Sequence, residues 1–318
     1  MYVFINFIRA LATCLITNSH FFPIYTFDAL AKGGAFGNSL FFLATGFCLY
    51  NCSQKFSKWY PKRLVRLYVP VIIIAFFNMY MGGSVFETLF FSFAFPANYW
   101  FVCALIILYP AYYLVVNHSF RNRKYICTAV LAVMYTVIYF FIDKSFYNVE
   151  SAGIYGIRFS YIFSFFLMLV GGYTRKNFDI IKQKVIQKRF LLFVAFFVSA
   201  VLYFAFLLTM YRFTVLYKIQ FLETILCIST TVTLFWLFLS FEDFFAKYKD
   251  HLLTRVISFI GNCTLEIYLV QFPLIRLISD WRVHSLIKFV AAVSSIIICA
   301  VVLKRVSNFV IKSVANFK

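Results

Sequence analysis

Apolar residues come along this chain in blocks of about twenty, separated by short stretches rich in lysine and arginine. About 20 apolar residues in a helix cover the roughly 30 Å of bilayer hydrocarbon. The blocks predict ten such helices: Tyr2–Phe22, Gly34–Cys52, Leu67–Met81, Tyr99–Val116, Tyr125–Ile142, Ile157–Thr174, Phe190–Met210, Ile219–Phe241, Val256–Ile275 and Leu286–Leu303. The third is short. The apolar stretch after it, Ser84–Pro96, is broken by Glu87 and predicts a partly buried outer loop. No long two-residue alternation of the outer-membrane barrel type runs through the chain. The pattern therefore predicts an all-α, polytopic integral membrane protein, with one membrane-embedded domain over residues 1–318 and no separate soluble domain.

Composition agrees. Hydrophobic residues make up 63% of the chain and charged residues 13%, against about 25% charged in soluble domains. Lysines and arginines collect in cytoplasmic loops. With the N-terminus inside, the inner loops and the tail hold 21 of the 30, the outer side holds 8, and Arg9 lies within the first helix. This predicts both termini in the cytoplasm and an even number of crossings. The net charge of +19 then reflects topology and attraction to anionic lipid headgroups, and calls for no nucleic acid. The first helix does not read as a cleaved signal peptide, because no basic segment precedes its apolar run.

The eight cysteines include no C-x-x-C pair, and most fall in apolar spans, where cysteine behaves as a small hydrophobe. No metal site is expected. N-x-S/T matches at Asn51, Asn117 and Asn262 fall in a helix end, an inner loop and a span, so they read as chance. Gly33-Gly34 with Gly37, and Gly171-Gly172, suit close helix approach.

Chemistry must come from polar residues in the membrane, which are costly there and mark functional sites by default. The first helix carries Asn6, Arg9, Asn18, Ser19 and His20. Arg9 and His20, eleven positions apart, share a helix face with about 16 Å of rise between them. His20 is the only histidine within a predicted span. Arg9 and His20 serve function on one reading, and on the other merely pair with neighbouring helices, for example with Glu223 or Glu266. Arg63 and Arg66 lie one helical turn apart at the inner start of the third helix. Two guanidinium forks there suit a phosphate-bearing ligand, and they equally suit ordinary inside charge.

An ordered series of segments resembles the acyltransferase-3 family of membrane acyltransferases. Ile5-Asn6-Phe7-Ile8-Arg9-Ala10-Leu11-Ala12 through His20 resembles its opening, and Gly37–Phe47 its second helix. Lys62–Pro70 resembles its R-x-x-R segment, Tyr99-Trp100-Phe101 its aromatic motif and Arg158–Gly172 its sixth helix. Ile260–Gln271 resembles its penultimate helix. The resemblance spans nearly the whole chain. It implies ten core helices and transfer of an acyl group, usually acetyl from acetyl-CoA, to hydroxyls of surface glycans, lipid-linked sugars or small molecules. The essential residues it implies map onto His20 and Arg9 as catalytic residues and onto Arg63 and Arg66 as binders of acyl-CoA, the donor. Two positions depart from the pattern: Asn6 stands where Asp is frequent, and Gln271 where His is frequent. The family's optional soluble esterase-like domain is not expected here. The resemblance implies a plasma-membrane O-acetyltransferase of the polysaccharide-modifying kind. A transporter or flippase for a glycan or its precursor competes, although no inverted repeat is visible. A catalytically silent scaffold is a third alternative.

Overall fold

The computed structural model describes residues 2–50, 52–80, 96, 99–117, 124–145, 147–154 and 157–316. The helices are α1 (Val3–His20), α2 (Gly34–Leu49), α3 (Phe56–Tyr80), α4 (Trp100–Asn117), α5 (Lys124–Phe141), α6 (Ser160–Lys176), α7 (Phe178–Gln187), α8 (Arg189–Arg212), α9 (Phe221–Ser240), α10 (Glu242–Lys247), α11 (Leu252–Asn262), α12 (Thr264–Ser279) and α13 (Ser285–Asn316). Short 3₁₀ turns and one two-stranded ladder, pairing Gly153 with Arg158 and Ile154 with Ile157, fill connections at the His20 end.

Each of the ten predicted segments overlaps a helix, the ninth of them two. By length and composition alone, α8, α9 and most of α13 are long and apolar enough to cross a membrane, and α11 with α12 makes a fourth candidate as a bent pair. The others are shorter, or carry polar groups as α1 does. The outward faces of α8 and α13 are apolar, with Phe190, Leu191, Phe197, Leu286 and Phe309 exposed. Such a surface fits hydrocarbon and not water.

Three details differ from the sequence pattern. The third helix starts at Phe56, eleven positions before the predicted span, so Arg63 and Arg66 stand well inside it. The predicted span Val256–Ile275 is two helices meeting at a 71° bend across Cys263. The inner loop after Thr174 contains α7, a short helix lying between α6 and α8. The predicted outer loop Ser84–Pro96, apart from its last residue, and Asn51 lie outside the described residues.

The core forms around α1, which touches α2, α9, α10, α11 and α12. Its seat is set by polar pins. Glu242 accepts hydrogen bonds from the backbone N–H of Val3 (3.0 Å) and Phe4 (2.7 Å), satisfying free donors at the start of α1. Asn6 donates to Ser258 (3.2 Å), and Thr13 bonds Thr264 (3.0 Å) just past the α11–α12 break. Lys304 reaches from α13 to the Asn262 carbonyl at the same break, supplying a partner to a carbonyl at a helix end. Between α2 and α6, Gly46 faces the Met168 backbone and Gly171 faces the Leu43 carbonyl, so the two helices meet backbone to backbone.

Candidate functional site

Cavities lined by polar side chains lie at the two opposite ends of α1. At its C-terminal end, a cavity of about 280 Å³ is lined by His20 and Ser19, the start of α2, Trp100, Glu150, Arg158, Glu223, Tyr203 and Tyr268. Local sequence explains its shape. Gly33 takes a left-handed φ of 102°, a conformation favouring glycine, and this turns the chain into α2 without a side-chain cap. The first turn of α2, with its free N–H groups and positive dipole end, therefore borders the cavity beside His20.

The His20 ring packs on Phe272, with centroids 4.4 Å apart at 60°. Among the described residues it has no hydrogen bond to protein, and no carboxylate lies within 4.0 Å of it. Glu223 lines the same cavity. Glu150 accepts hydrogen bonds from Tyr135 (3.1 Å) and Thr224. Burial pushes the Glu150 carboxyl above the ordinary range, against the pull of those two donors. Arg158 lies over the Trp100 ring at 4.7 Å, and Lys32 over Tyr211 at 4.6 Å. Aromatic faces, carboxylates, an amide (Asn38) and cations in one small cavity suit a polyhydroxylated ligand, which needs both donors and acceptors.

At the other end of α1, two adjoining cavities of about 490 and 350 Å³ share Cys48 and Tyr50. The larger is lined by Tyr2, Arg175 and Glu242, and the smaller by Trp59, Lys62, Arg63 and Arg66. Arg63 lies over Trp59 at 5.8 Å, whereas the side chain of Arg66 is exposed. Arg9, Arg63 and Arg175 all act electrostatically on the Cys48 thiol, and Arg9 and Arg63 also on the Tyr109 hydroxyl. Arg175 is held over Tyr2 (4.4 Å) and Phe47 (5.4 Å).

The four candidate residues thus divide. Arg63 and Arg66 line a cavity at one end and His20 lines that at the other, whereas Arg9 lies within α1 and lines none of them; the two sets of cavities share no lining residue. No ion pair within 4.0 Å joins Arg9 or His20 to Glu223 or Glu266 among the described residues, although Arg9 acts on Glu266 at longer range. Gln271 is fully buried, and among the described residues neither of its amide atoms has a hydrogen-bond partner.

Several site residues carried no signal as site residues in the sequence. Arg175 and Lys32 read only as topology charge. Glu150 sits in a connection with no helical period, and Arg158, at the head of the sixth predicted helix, reads only as outer-side charge. Only the packing brings them to the cavities.

A histidine with mixed polar groups thus stands at one end of α1 and a group of arginines at the other. Residues 2–305 match the family model described as an acyltransferase domain, and the chain belongs to that acyltransferase-3 family. The protein is accordingly a membrane acyltransferase. No curated protein and no solved structure matches the chain.

Proposed function

We propose that the protein crosses the plasma membrane ten times with both termini cytoplasmic. It moves an acyl group, acetyl in the first instance, from acyl-CoA to a hydroxyl of a cell-surface glycan or lipid-linked sugar. The observation that carries this reading is the placement of His20 and the arginine cluster at opposite ends of one helix. Acyl-CoA is a cytosolic polyanion, so its phosphates meet Arg63 and Arg66 at the basic end, with Arg9 next along α1. The thin pantetheine arm runs along α1 and brings the thioester toward His20, over a rise of about 16 Å from Arg9.

In the transfer step, the neutral imidazole of His20 takes the proton of the acceptor hydroxyl as its oxygen bonds to the thioester carbonyl carbon. Negative charge grows on the carbonyl oxygen. The uncapped first turn of α2 beside the cavity supplies N–H groups and a positive dipole end for it. Collapse breaks the carbon–sulfur bond. The CoA thiolate leaves and receives the proton from the imidazolium, which regenerates His20.

Two results test donor binding. Arg63→Ala with Arg66→Ala should weaken acyl-CoA binding about 100-fold or more, since charge-assisted hydrogen bonds contribute about 1.5–3 kcal/mol each. The lysine pair should recover part of it, because an ammonium lacks the planar fork. Binding by purified, monodisperse protein is the measurement; unchanged affinity in the alanine pair would return these arginines to topology alone. Arg175→Gln should raise the KM for acyl-CoA about tenfold with kcat little changed. Its guanidinium is held by Tyr2 and Phe47 beside the same thiol as Arg63. An unaltered KM would leave Arg175 as a packing residue.

A further inference from the structure

A second pair of cavities lies on the flank of the bundle. One, of about 490 Å³, is bounded by α5, α6 and α9; the next, of about 390 Å³, shares Phe166 and Ile228 with it. Together they form one apolar groove along the bundle. Its basic-end limit is Lys176, and Lys144 and Lys218 stand at the His20 end. Ile225 and Phe140 in its rim are exposed.

The groove and the His20 cavity are separated by a thin partition. Tyr135 and Thr224 line the groove, and Glu150 lines the cavity. The three close on one another: both hydroxyls bond the Glu150 Oε1 atom, and they lie 2.8 Å from each other. Phe163 borders both spaces. These four side chains thus stand between groove and cavity.

We propose that this groove is the lateral entrance for the acceptor, which arrives on a long-chain lipid bearing a phosphate. The hydrocarbon lies along α5, α6 and α9, the phosphate sits between Lys144 and Lys218, and the sugar passes the Tyr135–Glu150–Thr224 partition to His20. This rests on the acyl-transfer function proposed above and names the form in which its acceptor comes.

Charge decides the occupant. A hydrocarbon chain gains little by leaving the bilayer for the groove, because lipid tails are as apolar as the groove wall. Selection must come from the polar end. Lys144 Nζ is held by the carbonyls of Ile142 (3.0 Å) and Phe140 (3.3 Å), which do not neutralise it. The neighbouring Asp143 carboxylate is turned to Ser145, bonding its N–H and hydroxyl at 2.9 and 2.6 Å. Among the described residues, neither Lys144 nor Lys218 has a carboxylate within 4.0 Å. Two such ammonium groups at the groove end complement a phosphate, whereas a neutral lipid has nothing to offer them.

The test uses the full-length protein in phosphatidylcholine vesicles with three photoactivatable probes: a polyprenyl phosphate, the matching polyprenol and phosphatidylglycerol. Acyl-CoA binding is measured on the same samples. The phosphate probe should label groove residues of α5, α6 and α9 about tenfold more than the alcohol, and unlabelled phosphatidylglycerol in tenfold excess should compete only weakly, because its diester offers the two lysines one charge where the monoester offers nearly two. Lys144→Gln with Lys218→Gln should erase that preference, and Ile228→Trp should block labelling at the junction of the two cavities. Acyl-CoA binding should persist in both variants. Equal labelling by all three probes, or none in the groove, overturns the proposal and leaves ordinary boundary lipid. A preference unaltered in the lysine pair overturns it too, even if Ile228→Trp does not fold. Groove labelling without any acyl-CoA binding by the unaltered protein would instead refute the donor reading and leave the groove assignment standing.

Discussion

His20→Ala should lower acyl transfer by about 10²–10⁴-fold, the usual contribution of a positioned general base. Protein level and acyl-CoA affinity should hold. The reason is geometric: the arginines lie at the opposite end of α1, around cavities that share no residue with the His20 cavity. Truncating His20 removes one ring that packs on Phe272 and has no hydrogen bond to protein among the described residues. Its loss leaves no buried partner stranded, so a collapse of the fold is not expected. His20→Gln should be almost as inactive, since an amide can hydrogen-bond but cannot take the proton. The assay is transfer of labelled acyl groups from acyl-CoA to a glycan acceptor by protein in vesicles. Full turnover by His20→Ala would remove the proposed chemistry, and movement of the acceptor across the membrane without label transfer would favour a transporter.

Gly46→Ala should abolish most of the folded protein. In an ordinary helix interior this change stabilises by about 1 kcal/mol. Here a methyl on Gly46 would overlap the Met168 carbonyl oxygen and come within 2.5 Å of its carbonyl carbon and Cα. The obstacle is backbone, which cannot rotate away as a side chain can. Overpacking in cores costs about 1–3 kcal/mol where side chains yield, and α2 can only be pushed off α6. Gly171→Ala meets the reciprocal obstacle, the Leu43 carbonyl and the Phe47 amide nitrogen, the latter at 2.7 Å. Thermal unfolding in detergent, read by loss of monodisperse protein, is the measurement. Wild-type stability in either variant would show that the α2–α6 contact is looser than its geometry.

The helix order was legible because apolar run length is a strong signal, and each predicted segment overlaps a helix. The bend at Cys263 was not, since Val256–Ile275 has no proline at the break and its Gly261-Asn262 pair only weakens a helix without fixing a bend. Its cause is tertiary: Thr13 and Lys304 hold groups on either side of the break. The candidate site was legible only along α1 and α3, where spacing within one helix fixes which residues share a face. Glu150, Arg158 and Trp100 come to the His20 cavity from separate connections and helices, and spacing in one dimension carries no information about such meetings. The pairing of Arg9 or His20 with Glu223 or Glu266, one of the two readings of those residues, does not form an ion pair. Glu223 and His20 instead line one cavity.

The pins that seat α1 have a consequence for how the protein is made. Glu242, Ser258 and Thr264 grip a helix that lies 238 to 252 positions earlier in the chain. At about 5–20 residues per second, α1 leaves the ribosome on the order of 10–50 seconds before the side chains that hold it exist. Throughout that interval Arg9 has α2 and Cys48 beside it but not Glu266. Helix α1 is thus fixed late, only once the segment that carries Glu242, Ser258 and Thr264 has been made.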